Sequence, residues 1–178
     1  MLIPYENGLV IGMETTFNDL KAKHLKLVES QWKLREKLHS RARDLLTEYT
    51  RSLSLPLSGT WLDSQGKERP YVEIGVWKEP GKFTAESFPR LPMDEEYKLN
   101  FVVATTLDDT QITGGYRHGI SLSLWYEGPV LYTAVGSGDD VAIFMVSPNE
   151  GGFYEVCAAI KLLISIAIDR SMPSAIII

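Results

Sequence analysis

The sequence predicts an α+β fold: a long N-terminal helix, an antiparallel meander of about five to seven strands, and a buried C-terminal helix, with the helices on one face of the sheet. Two observations carry this. Apolar residues recur at helical spacing from Glu14 to Ser52, alternate over 57–146, and return to a helical run over 147–170. The 178 residues, 44% hydrophobic and 23% charged, have the size and apolar content of one soluble domain.

The helix opens on Thr16-Phe17-Asn18-Asp19, a hydroxyl followed three residues later by an acid, which is a capping signal. Phe17, Leu20, Leu27, Leu34, Leu38 and Leu45 then form a stripe, widened by Val28, Trp32, Ala42, Leu46 and Tyr49. His24, Gln31, Arg41 and Glu48 interrupt its heptad register, so packing on a sheet is expected ahead of an isolated coiled coil. A helix of ~38 residues runs ~57 Å, while a compact domain of this size has a radius of gyration of only ~16 Å. The helix should therefore overhang, pair or break, with Leu34 to Tyr49 on the core and Phe17 to Trp32 reaching another chain or bending back. Pro56 ends it.

Alternation follows. Thr60-Trp61-Leu62, a turn at Ser64–Lys67, and Val72, Ile74 and Val76 facing away from Tyr71, Glu73, Gly75 and Trp77 read as a hairpin. Glu79-Pro80-Gly81 turns the chain, Phe83–Phe88 is a short strand, and Pro89 and Pro92 make the next piece a loop. Tyr97–Thr105 alternates cleanly, as does Tyr116–Glu127. Val130–Val135 and Val141–Val146 are apolar on both faces, which predicts central strands buried on two sides.

Ser147-Pro148-Asn149-Glu150 signals a helix start, and Met172-Pro173 a stop. Leu9-Val10-Ile11 suits a short edge strand or an ordered lead-in, and the apolar Ala175-Ile176-Ile177-Ile178 needs cover from a sheet edge or another chain.

Charge and cysteine usage narrow the setting. One cysteine, Cys157, rules out an internal disulfide and suits a reducing compartment. The first residues lack the basic and apolar regions of a signal peptide, and no apolar run is long enough for a bilayer, so a cytoplasmic chain without membrane contact is expected. The net charge of -5 argues against nucleic acid as partner. That charge is uneven: Glu14–Ser52 carries nine Lys/Arg and six Asp/Glu, and the remainder nine and seventeen.

No catalytic set, metal-ligand set or cofactor motif is expected. Asp94-Glu95-Glu96, Asp108-Asp109 and Asp139-Asp140 read as turn chemistry. Cys157 sits in an apolar helix and reads as an inert core thiol. The glycine pairs match no phosphate loop. The predicted outer sheet face is more suggestive: it carries Trp77, Trp125, Tyr71 and Arg117, an acidic and aromatic surface suited to a protein partner. With Trp32 on the helix, these are the candidate partner-binding residues. The leading expectation is a non-enzymatic protein-binding module of immunity, inhibitor or accessory type. Its partner is another protein, and a homo-oligomer, a dimer, is a linked expectation. The first alternative is a small-ligand binder or enzyme with a pocket at His118 and Tyr116. The second is an assembly protein built on the helix.

Overall fold

The computed structural model describes residues 14–175. The segments at Leu9–Ile11 and Ile176–Ile178 lie outside the described residues. By its internal contacts the chain divides into two units, Met1–Lys37 and Leu38–Ile178.

Helix α1 spans Phe17–Ser52 without a break. Its start is the predicted capping box. Thr16 Oγ1 accepts the Asp19 N–H at 3.3 Å, and Asp19 Oδ2 accepts the Thr16 N–H at 3.0 Å. That backbone bond holds the Asp19 carboxyl below its ordinary pKa. At the far end Ser52 donates to the Tyr49 carbonyl, Ser54 turns left-handed at φ 49°, and Pro56 follows. In the first unit, no residue of Phe17–Lys37 is buried.

The second unit holds the core. Among the described residues β1 (Thr60–Leu62) and β2 (Glu68–Pro70) form a two-stranded ribbon. A six-stranded antiparallel sheet follows, in the order β4 (Lys82–Ala85), β3 (Val72–Glu79), β5 (Leu99–Thr106), β6 (Arg117–Glu127), β7 (Val130–Val135), β8 (Ala142–Val146). Helix α2 spans Tyr154–Arg170. The antiparallel α+β architecture is the one predicted.

Register explains the two faces. Leu99 pairs with Leu124, Phe101 with Leu122 and Val103 with Ile74, so these side chains share a face with Thr105. Tyr49 on α1 meets Thr105 through a 2.7 Å hydroxyl–hydroxyl bond, which places Leu38, Ala42 and Leu45 on this same face. Helix α2 packs on β6, β7 and β8, burying Val156, Cys157, Ile160 and Ile164. The two helices also complete each other. Glu48 of α1 accepts the Phe153 N–H at 3.1 Å, at the start of α2, and Lys161 of α2 donates to the Ser52 carbonyl at 2.9 Å.

Three local expectations are corrected. First, Thr60–Leu62 does not pair with the strand carrying Val72. It pairs with Glu68–Pro70, because Asp63 folds the turn tightly, accepting the Gln65 and Lys67 N–H groups at 2.9 Å each and binding Arg69 at 2.9 Å. The Arg69 bond holds the Asp63 carboxyl below its usual value. Second, α2 starts at Tyr154 rather than 147. Gly151 is left-handed at φ 80°, so Ser147–Gly152 is a turn, and Glu48 supplies the cap that Ser147 was expected to give. Third, β8 is an edge strand with Ile143 and Met145 exposed, while β5 is the strand buried on both faces. An apolar run on two faces fits either position, and only pairing order separates them.

Candidate functional site

The outer sheet face does carry Trp77, Trp125 and Arg117, and most of their polar groups are paired within the face. Two glycines make this possible. A Cβ on Gly75 would meet Phe83 Cε2 at 2.8 Å, and one on Gly119 would meet Trp77 Cζ2 at 2.8 Å and Val102 Cγ1 at 3.1 Å. Each aromatic ring therefore comes close to backbone that carries no side chain. Trp77 crosses β5 to reach β6, and its Nε1 donates to Ser121 Oγ at 2.9 Å. Its side chain keeps 37% exposure.

Trp125 is half-buried. It stacks on Tyr132 at 6.0 Å and 17°, carries the Lys98 ammonium at 4.7 Å, and donates to Glu127 at 3.2 Å. Arg117 binds Glu73 at 3.0 Å and lies 5.4 Å over the Phe83 ring. Tyr71 is only 7% exposed and donates to Asp109 at 2.7 Å, which raises its phenol pKa. It offers almost no surface to a partner. The loop 86–98 reaches α1 through Leu91, buried beside His39, and through Phe88, on which Arg43 stacks.

His118 and Tyr116 line a cleft of about 370 Å³ together with Trp77, Arg117, Ile164 and Ala167. The cleft is an open recess at the start of β6. His118 meets the Tyr116 ring edge-on at 4.9 Å, and burial pushes its pKa down. Among the described residues no carboxylate lies within ion-pair distance of His118, and no serine, threonine or cysteine lines the cleft, whose hydroxyl is the Tyr116 phenol; the cleft's arginine is engaged by Glu73. Such a set can hold a small neutral or aromatic molecule, but it has no activated nucleophile or paired base. Cys157 is elsewhere, buried in α2 with Glu48 3.9 Å away; burial and then the Glu48 charge push the thiol up to about 12. Among the described residues no three His, Cys, Asp or Glu side chains gather as a metal set. No helix among them is long and apolar enough to cross a membrane.

Phe17–Lys37 is different in kind. Leu20 is 59% exposed, Leu27 49% and Trp32 58%, with Phe17 and Leu25 also exposed. Val28, Gln31 and Leu34 are half-buried. The Arg35 guanidinium lies 5.7 Å over Trp32, and Lys33 binds Glu29 at 2.9 Å on the polar side. Trp32 was expected as a contact residue from sequence. Leu20 and Leu27 were legible as part of the stripe, but nothing in their spacing shows that they stay uncovered. The exposed Ile143 and Met145 of β8 had no sequence signal apart from their apolar run. The chain matches no protein family, no curated protein and no solved structure.

Proposed function

We propose that the chain is a protein-binding module of immunity, inhibitor or accessory type whose contact element is the first half of α1. The observation that carries this is the exposure of Phe17, Leu20, Leu25, Leu27 and Trp32 within 21 residues of one helix, none of them buried. Helical segments that present anchors at such spacing are used to bind other proteins. Aromatic and large aliphatic side chains are the groups that supply most binding energy once covered. The outer sheet face supports the same reading less strongly, because the polar groups of Trp77, Trp125 and Arg117 already have partners in the fold. The single buried thiol suits a reducing, cytoplasmic setting.

The test is a paired capture from native extract, using the wild-type chain and a Leu20→Asp/Leu27→Asp variant. A partner retained by the first and lost with the second supports the reading, provided the variant's thermal midpoint is unchanged. A partner retained equally by both moves the contact off the helix. A small-ligand reading rests on the cleft at His118. It requires a compound whose binding is lost in His118→Ala and kept in Leu20→Asp/Leu27→Asp.

A further inference from the structure

The partner of the exposed helix face can be given a chemistry. In heptad terms Phe17, His24 and Gln31 occupy a, and Leu20, Leu27 and Leu34 occupy d. Leucine at every d is the pattern of a paired helix. A polar residue at a is the device by which such pairs fix register and partner number. His24 and Gln31 break the apolar heptad register of the sequence, yet as polar a positions between leucine d positions they are compatible with a seam.

The flanks decide which helix would sit there. Positions e are Lys21, Val28 and Arg35, and positions g are Lys23, Ser30 and Lys37. Four of these six are basic and none is acidic. The acids of this segment, Asp19, Glu29 and Glu36, fall at c and f, away from the seam, and Glu29 is already bound to Lys33. Flanking charges set partner choice in paired helices, because each e or g side chain meets one on the other helix. A second copy would bring the same positive flanks to the seam. A helix with glutamate or aspartate at e and g would neutralise them.

From this charge pattern we infer that Phe17–Lys37 pairs with an amphipathic helix of a partner protein that is acidic on both flanks of its own apolar seam. This rests on the reading of the helix as the contact element and adds the identity of what it contacts. The seam leucines supply the buried area, and the basic flanks led by Lys21 and Lys23 supply the discrimination, Arg35 already lying over Trp32.

The experiment uses the full chain and two synthetic four-heptad peptides, each with leucine at d and valine at a. One carries glutamate at every e and g, the other lysine. Calorimetric titration should show the glutamate peptide binding at least about tenfold tighter, with affinity falling as salt rises. Lys21→Glu/Lys23→Glu should narrow that preference, and Leu20→Asp/Leu27→Asp should abolish binding of both peptides. Equal binding of the two peptides would overturn the acidic partner and leave the helix as contact element. No peptide binding, with self-association of the chain that is lost in Leu20→Asp/Leu27→Asp, would make a second copy the partner and overturn the inference. Binding of duplex RNA in place of either peptide would overturn it by making the basic flanks a phosphate surface. No binding by a chain that stays monomeric would overturn both this inference and the reading beneath it.

Discussion

Phe17–Lys37 and Leu38–Ser52 are consecutive stretches of one helix with the same leucine spacing, and they have opposite fates. In the second, Leu38, Ala42, Leu45 and Tyr49 are completely buried. In the first, nothing is buried and Leu20 and Leu27 stand in solvent. Periodicity records that one face is apolar. It does not record what covers that face, which depends on strands 50 or more residues further along. The difference separates residues that hold the fold from residues that the fold leaves exposed.

The sharpest way to break this comparison is a pair of truncations measured by urea unfolding. Leu45→Ala should lose about 2–5 kcal/mol, since it removes buried methyl groups and leaves a cavity. Leu27→Ala should stay within about 0.5 kcal/mol, as expected of a surface site. Similar losses at both positions would mean that the first half is covered in the isolated chain. The outer sheet face sharpens the contrast from the other side. Gly119→Ala places a methyl group in the Trp77 ring and should cost about 1–3 kcal/mol, with a change in the near-ultraviolet circular dichroism of tryptophan. An unchanged spectrum would show that Trp77 does not lie on Gly119.

Smaller effects follow at the core. Tyr49→Phe removes the bond to Thr105, strands a buried hydroxyl and should cost about 1 kcal/mol by the same unfolding assay. The thiol of Cys157 gives a pH-dependent effect. Its folded pKa is pushed up to about 12 from an ordinary value of 9.0. Below pH 9 both states hold the proton and the thiol leaves stability unaltered. Between 9 and 12 the unfolded chain loses it first, so stability falls as pH rises. Cys157→Ala should flatten the slope of stability against pH over that window, and an unaltered slope would show that the thiol is not held neutral. Smallest of all, Lys33→Ala breaks only an exposed ion pair with Glu29 and should leave the unfolding midpoint where it was.

The parts of the fold legible in the sequence are those set by near neighbours. Thr16 and Asp19 are three residues apart, and their capping box is local chemistry. Leu122 and Leu124 alternate with Ser121 and Ser123 because a strand has two faces. The parts that were not legible depend on distant residues. Ser147 has the credentials of a cap, yet Gly151 turns the chain and Glu48 takes the role instead. Val141–Val146 has the apolar character of a central strand, and only its place in the pairing order makes it an edge. On the candidate site, Trp77 and Trp125 were placed on the correct face by alternation. Their hydrogen bonds to Ser121 and Glu127, which reduce their value to a partner, depend on Gly119 and on side-chain geometry that no spacing rule carries.

The cap that Glu48 gives to α2 also bears on how the chain is made. Synthesis proceeds from the N-terminus, so α1 leaves the ribosome long before Phe153 exists. Leu38, Leu45 and Tyr49 must then wait, uncovered, for the strands that bury them. The start of α2 must in turn wait for α1 to settle, because its N–H partner lies 105 residues back. Contacts of such separation are costly to close and slow to form. The nascent chain thus displays an exposed leucine stripe over both halves of α1, a state the finished protein shows in only one of them.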